Sequence, residues 1–149
     1  MSRVQLALNV SDVDAAVAFY SKLFGTEPAK RRPGYANFAV DEPPLKLVLI
    51  ENALNPGSLN HLGVEVGTAD DVVTESRRLA EAGLTSAIEE DVECCYAKQD
   101  KFWVEDPDRA PWEIYTVLAD SEVLAPQRSA ASVATAAPGG AVGCGPGCC

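Results

Sequence analysis

Val4-Gln5-Leu6-Ala7-Leu8-Asn9-Val10 and Asn60-His61-Leu62-Gly63-Val64-Glu65-Val66 are two copies of one pattern. Both alternate apolar with small or polar residues, the period of a half-buried strand. Each runs into a helical segment. Ser11 or Asp12 can cap a helix over residues 13–23, which Gly25 ends, and Thr68 or Asp70 can cap one over residues 71–82, which Gly83 ends. The offset is 56 residues at the strand and 58 at the closing glycine. So small a drift marks an internal repeat.

Three further strand candidates follow each helix. They cover residues 29–32, 35–40 and 45–50 in the first copy, and 85–92, 98–105 and 112–118 in the second. Pro33-Gly34, Glu42-Pro43-Pro44 and Asp106-Pro107-Asp108-Arg109 supply turns. The order is βαβββ twice. The expected fold is therefore α+β: paired βαβββ modules, at residues 2–51 and 59–118, forming a curved mixed sheet. Each helix covers one face of its half-sheet, and the uncovered faces border a cleft.

Beyond residue 118 the composition changes. Residues 119–149 contain no aromatic side chain and are rich in Ala, Gly, Pro and Ser. Such a segment buries too little apolar area to offset its ordering entropy. It reads as a flexible C-terminal tail carrying Cys144, Cys148 and Cys149. The whole chain has 149 residues, 22 acidic and 12 basic, for a net charge of -10. The tail removes only Asp120, Glu122 and Arg128, so the acidity belongs to the domain. That charge excludes a phosphate-backbone partner. No apolar run reaches the length that spans a bilayer, and the N-terminus lacks a secretory signal pattern. The expectation is a cytoplasmic protein, with no nucleic-acid or membrane partner, whose five cysteines are thiols.

His61 is the one histidine, which excludes a zinc site built on two. Gln5 holds the equivalent position in the first copy. In the last strand Glu113 lies between Trp112 and Ile114, and a carboxylate there is costly unless paired or metal-bound. Gln5, His61 and Glu113 each stand near the start of a strand. An amide oxygen, an imidazole nitrogen and a carboxylate oxygen make a three-point facial site resembling the two-histidine-one-carboxylate triad of non-haem Fe(II), with one histidine replaced. The fourth pseudo-symmetric position falls near Lys46, a poor ligand, so the remaining metal positions stay open.

The doubled module, with AFYSKLFG after the first strand and DPDRAPWEIYTV at the last, resembles the vicinal oxygen chelate superfamily of glyoxalase I, extradiol dioxygenases, and bleomycin and fosfomycin resistance proteins. The resemblance covers about residues 2–118. Within it, VQLALNVSDVDAAVAFYSKLFGTEPAKRRPGYANFAV, NHLGVEV, the vicinal pair in DVECCYAKQDKFWVEDPD and the cysteine-rich tail are similar to the ArsI-type C–As lyases, and CadI-type cadmium-induced proteins share much of the pattern. The resemblance implies an Fe(II)-dependent dioxygenase, with dioxygen as co-substrate, that cleaves the C–As bond of trivalent organoarsenicals such as methylarsenite and aromatic arsenicals. It places metal ligands at Gln5, His61 and Glu113. Cys94 and Cys95 become the catalytic, substrate-binding thiols.

The pair also makes chemical sense alone. Trivalent arsenic is thiophilic, and two thiolates replace the two exchangeable oxygens of methylarsenite. Adjacent residues of an ideal strand point to opposite faces, so Cys94 and Cys95 have to lie in a loop or bulge. The preceding acidic run, residues 89–93, is compatible with a solvated loop, and its charge disfavours the thiolate. The bland reading is a pair of small buried residues. Lys98, Lys101 and Arg109 read as solvated surface charge, with an alternative role in holding an anionic group of an aromatic arsenical. The rival function is a CadI-like module that sequesters soft metals without catalysis. Both a monomer and a homodimer that exchanges halves are compatible with the pattern.

Overall fold

The computed structural model describes residues 2–84 and 88–122. The chain divides into two compact units, one spanning Arg3–Gly63 and the other running from Val64 onward. In the first, β1 (Arg3–Val10), α1 (Val13–Phe24), β2 (Lys30–Arg32), β3 (Tyr35–Val40) and β4 (Leu45–Glu51) follow in order, and most of β5 (Leu59–Glu65) completes it. The strand order is β2-β3-β4-β1-β5. β1 lies parallel to β4, with Gln5 opposite Lys46, and β3 is antiparallel to both β2 and β4.

Asp12 rather than Ser11 caps α1, its side chain accepting from the backbone of Asp14 and Ala15. Gly25 ends the helix at φ 63°, a left-handed conformation that costs glycine little. Val13 and Val17 of α1 are buried against Ala36, Phe38, Val40, Leu47 and Leu49, with Leu6, Leu8 and Val10 beside them. Each fully buried side chain of this kind contributes roughly 1.5–3 kcal/mol. Strand alternation then turns Gln5, Ala7 and Asn9 to the other face of β1, where all three are buried.

The second unit holds α2 (Ala69–Glu81), β6 (Glu89–Cys94), β7 (Ala97–Glu105) and β8 (Pro111–Asp120). Thr68 caps α2 through a capping box with Asp71. At the other end Gly83 has φ 85°. There the Gly83 amide bonds to the Ala80 carbonyl and the Leu84 amide to that of Leu79, a Schellman closure. Val72 and Leu79 of α2 pack with Val66, Phe102, Val104 and Ile114. The antiparallel order is β8-β7-β6. Asp106 Oδ1 accepts from the amides of Asp108 and Ala110 and closes the expected turn before β8.

Two differences from the sequence reading follow from pairing. The acidic run 89–93 takes the strand expected over 85–92 rather than the solvated loop it was also compatible with, and β6 carries on to Cys94. It bulges between Glu89 and Val92, where Asp91 takes φ 57°. Lys98 lies opposite Glu93 and reaches Asp91 at 2.7 Å, so cross-strand cations offset the like charge. Second, β8 continues to Asp120, two residues into the stretch assigned to the tail. Ser121 then donates its amide to the carbonyl of Tyr96. The rest of the expected tail, including Cys144, Cys148 and Cys149, lies outside the described residues.

Asp12 supplies a side-chain acceptor to two otherwise unpaired amides of α1. Asp12→Ala should therefore lower stability by about 1 kcal/mol without changing the denaturant slope, as read by urea unfolding. An unchanged midpoint would show that α1 is held by packing alone.

Candidate active site

The first unit brings Gln5 and His61 together, as the repeat implied. Each is the third residue of its strand, and both are buried, His61 completely. A directional hydrogen-bond chain fixes the imidazole. The Asn55 carbonyl can only accept, so the Ser58 hydroxyl donates to it at 2.7 Å. Ser58 Oγ then accepts from Asn9 Nδ2 at 2.8 Å, and Asn9 Oδ1 accepts from Asn60 Nδ2 at 2.9 Å. That leaves Asn60 Oδ1 facing His61 Nδ1 at 2.8 Å. An amide oxygen has no proton to give, so Nδ1 carries the hydrogen and Nε2 keeps its lone pair. Gln5 Nε2 donates to that lone pair at 3.0 Å.

This is the tautomer a metal ligand needs, oriented by a neighbouring acceptor. Turning the Gln5 carboxamide over exchanges its nitrogen for its oxygen. Imidazole nitrogen, amide oxygen and the Glu113 carboxylate are hard-to-borderline donors that suit Fe(II). Among the described residues no group of three or more His, Cys, Asp or Glu is arranged to hold a metal. The polar relay through Asn9, Ser58 and Asn60 was missed from sequence, although Asn9 and Asn60 stand inside the two strands that define the repeat.

Glu113 belongs to the second unit and is also the third residue of its strand. On β7, Phe102 and Val104 face α2, so Gln99, Lys101 and Trp103 share the opposite face. Glu113 lies opposite Trp103, and Lys101 opposite Tyr115, which makes Lys101 and Glu113 diagonal neighbours. Their charges meet at 3.2 Å, and each side chain is only 1% exposed. Lys101 is therefore not solvated surface charge. The phase of β7, set by Phe102 and Val104, was the signal that could have found it. Burial works to lower the Lys101 ammonium, but the charges of Glu113 and Cys94 outweigh it and hold the pKa above its ordinary value. Lys98 and Arg109 are surface charges as expected, paired with Asp91 and Glu105.

Cys94 ends β6 and pairs with Ala97, so Cys95 and Tyr96 are the two central residues of a hairpin turn. Their φ values are 53° and 59°, the left-handed pair of a type I′ turn. Neither residue is Gly, Asn or Asp, so the backbone there is strained by roughly 1–3 kcal/mol per residue. The turn answers the problem of adjacent strand residues. It brings both sulfurs to one side, 3.6 Å apart and buried. Burial, followed by the bond and charge of Cys94 and the charge of Glu113, pushes the Cys95 thiol far up, while Lys101 opposes the shift. At rest this thiol is neutral.

The family described as the Glyoxalase/Bleomycin resistance protein/Dioxygenase superfamily matches residues 3–114. A cadmium-induced protein, CadI, of Mycobacterium bovis is 63% identical over 124 residues, covering 83% of this chain and 82% of that one. A trivalent organoarsenical cleaving enzyme of Thermomonospora curvata is 60% identical over 126 residues, covering 84% and 83%. Among solved structures, an extradiol ring-cleaving dioxygenase from B. fuscum superposes with a TM-score of 0.56 at 21% identity, over 80% of this chain and 34% of that one. This last likeness concerns the fold alone.

The Lys101–Glu113 pair gives a direct energetic test. Lys101→Met strands a buried carboxylate and should cost about 3–5 kcal/mol in the metal-free protein. Adding Glu113→Gln should recover most of that loss, and urea unfolding of the single and double variants measures the coupling. Additive effects would mean that the two charges do not depend on each other.

Proposed function

Because the chain belongs to the glyoxalase/bleomycin resistance protein/dioxygenase superfamily, we propose that it is an Fe(II)-dependent dioxygenase that cleaves the C–As bond of trivalent organoarsenicals. The observation that carries this reading is the vicinal dithiol, two buried sulfurs 3.6 Å apart in a strained turn. The named activity of the Thermomonospora relative supports it.

In this reading Cys94 and Cys95 capture the substrate. Each thiol displaces one hydroxyl of methylarsenite. An As–S bond forms, an As–O bond breaks, the thiol proton leaves with the hydroxyl as water, and arsenic stays trivalent. A neutral thiol suits this exchange, because the departing oxygen carries its proton away. Lys101, whose charge opposes the upward shift at Cys95, favours the thiolate as the bond forms. Gln5, His61 and Glu113 hold Fe(II), and Asn60 keeps His61 in the ligating tautomer. Iron bound there supplies activation of dioxygen. Overall, methylarsenite and dioxygen become arsenite and formaldehyde. Carbon is oxidised, both oxygen atoms are reduced, and every atom is accounted for. Holding the arsenic at a fixed place supplies the proximity that the reaction needs.

The CadI relative supports a second reading, soft-metal capture without turnover. That function needs the dithiol but neither Gln5 nor His61. Loading with Fe(II) without oxygen, adding methylarsenite and then air, and following arsenic speciation separates the two. Arsenite with formaldehyde is expected. Bound, unchanged methylarsenite with no oxygen uptake would sink the catalytic reading.

Variants divide the two tasks. Cys94→Ser should weaken arsenical binding at least about tenfold, since a hydroxyl is no soft ligand, and leave iron binding intact. His61→Ala should do the reverse. Gln5→His should tighten Fe(II), because imidazole is the stronger donor. Isothermal titration with each partner reads all three. If Cys94→Ser lost iron as well, the assignment of separate roles would fail.

A further inference from the structure

Gln99 is 4% exposed, and its Oε1 is buried with no hydrogen-bond partner among the described residues. A buried amide oxygen left unpaired costs free energy, so its presence calls for a ligand. Its position is informative. Gln99 lies opposite Val92, two residue pairs along from the Cys94–Ala97 pair that bounds the dithiol turn. It shares the β7 face with Lys101, whose ammonium is engaged by Glu113. Two residues of strand separate Gln99 from Ala97, about 6.6 Å. The ring and para substituent of an aromatic arsenical extend a comparable distance from their arsenic.

We propose that Gln99 selects aromatic arsenicals whose ring carries a hydrogen-bond donor, an amino or hydroxyl group, by accepting that hydrogen at Oε1. This rests on the arsenical reading above and names a substrate class within it. A carboxamide oxygen accepts and cannot donate. An unsubstituted ring therefore leaves it unpaired, and an amino or hydroxyl group satisfies it. Methylarsenite is too short to reach and gains nothing from Gln99.

The test uses the full-length, metal-free protein, reduced and without oxygen. It is titrated with phenylarsenite and with 4-aminophenylarsenite, and binding is read calorimetrically. The wild type should bind the amino compound about fivefold tighter, the factor given by one ordinary net hydrogen bond. Gln99→Met keeps the volume but loses the acceptor. It should bring the two affinities within twofold of each other and leave phenylarsenite binding unchanged. Its melting temperature should not fall, since an unsatisfied acceptor has been removed. Equal wild-type affinities, or an equal loss for both compounds in Gln99→Met, would overturn the proposal. The wild-type preference needs no variant, and Gln99→Leu repeats the comparison should the Met form fail to fold. Cys94→Ser is the separate control. Binding that ignores Cys94 would refute the arsenical reading itself, whatever Gln99 does.

Discussion

A helix covers one face of a sheet and no more. In each unit of this protein the strands therefore divide their side chains by alternation, with apolar residues toward the helix and everything else on the reverse. In the first unit Leu6, Leu8 and Val10 pack with α1, which leaves Gln5 and Asn9 together on the opposite face. In the second, Phe102 and Ile114 pack with α2, which leaves Lys101 and Glu113 on theirs. The polar groups are not tolerated there by exposure, because they are buried. Gln5 and Asn9 are held there by a directional amide chain, and Lys101 and Glu113 by an ion pair.

That division explains what the sequence revealed. The repeat located Gln5 and His61, because their strands begin with the same alternating pattern and tertiary packing preserved it. Glu113 stood out as a carboxylate amid apolar neighbours. Lys101 did not, because a lysine in a charged stretch reads as solvent-facing until the phase of its strand is fixed by Phe102 and Val104. The relay through Ser58, Asn9 and Asn60 crosses 51 residues of chain at one of its bonds and is set by strand neighbours rather than by any local motif. The sequence put Cys94 and Cys95 in a loop or bulge, but the two-residue turn at Cys95 and Tyr96 was hidden. Its backbone geometry asks for Asn-Gly, and the residues present contradict that preference. The acidic run fell partly in an expected strand and was also compatible with a loop, because charge disfavours strands, and cross-strand lysine decides for the strand.

The two units carry two kinds of donor. The imidazole and amides of the first unit are borderline or hard, and the adjacent thiols of the second are soft. Under the proposed reading a soft ion takes the thiols of the hairpin and a first-row divalent metal takes the donors of β1 and β5. Similarity to both a cadmium-induced protein and an organoarsenical cleaving enzyme fits a scaffold whose dithiol can serve either end.

The strained turn has a consequence for anyone who sets out to engineer the chain. A screen that rewards only melting temperature would replace Cys95-Tyr96 with Asn-Gly, since those residues adopt positive φ at little cost. The winning clones would fold better and would have lost one of the two thiols. Thermal robustness and soft-ligand capture are thus set against each other at a single dipeptide. Selection for both has to find its stability elsewhere, in the helices and the strands that carry them.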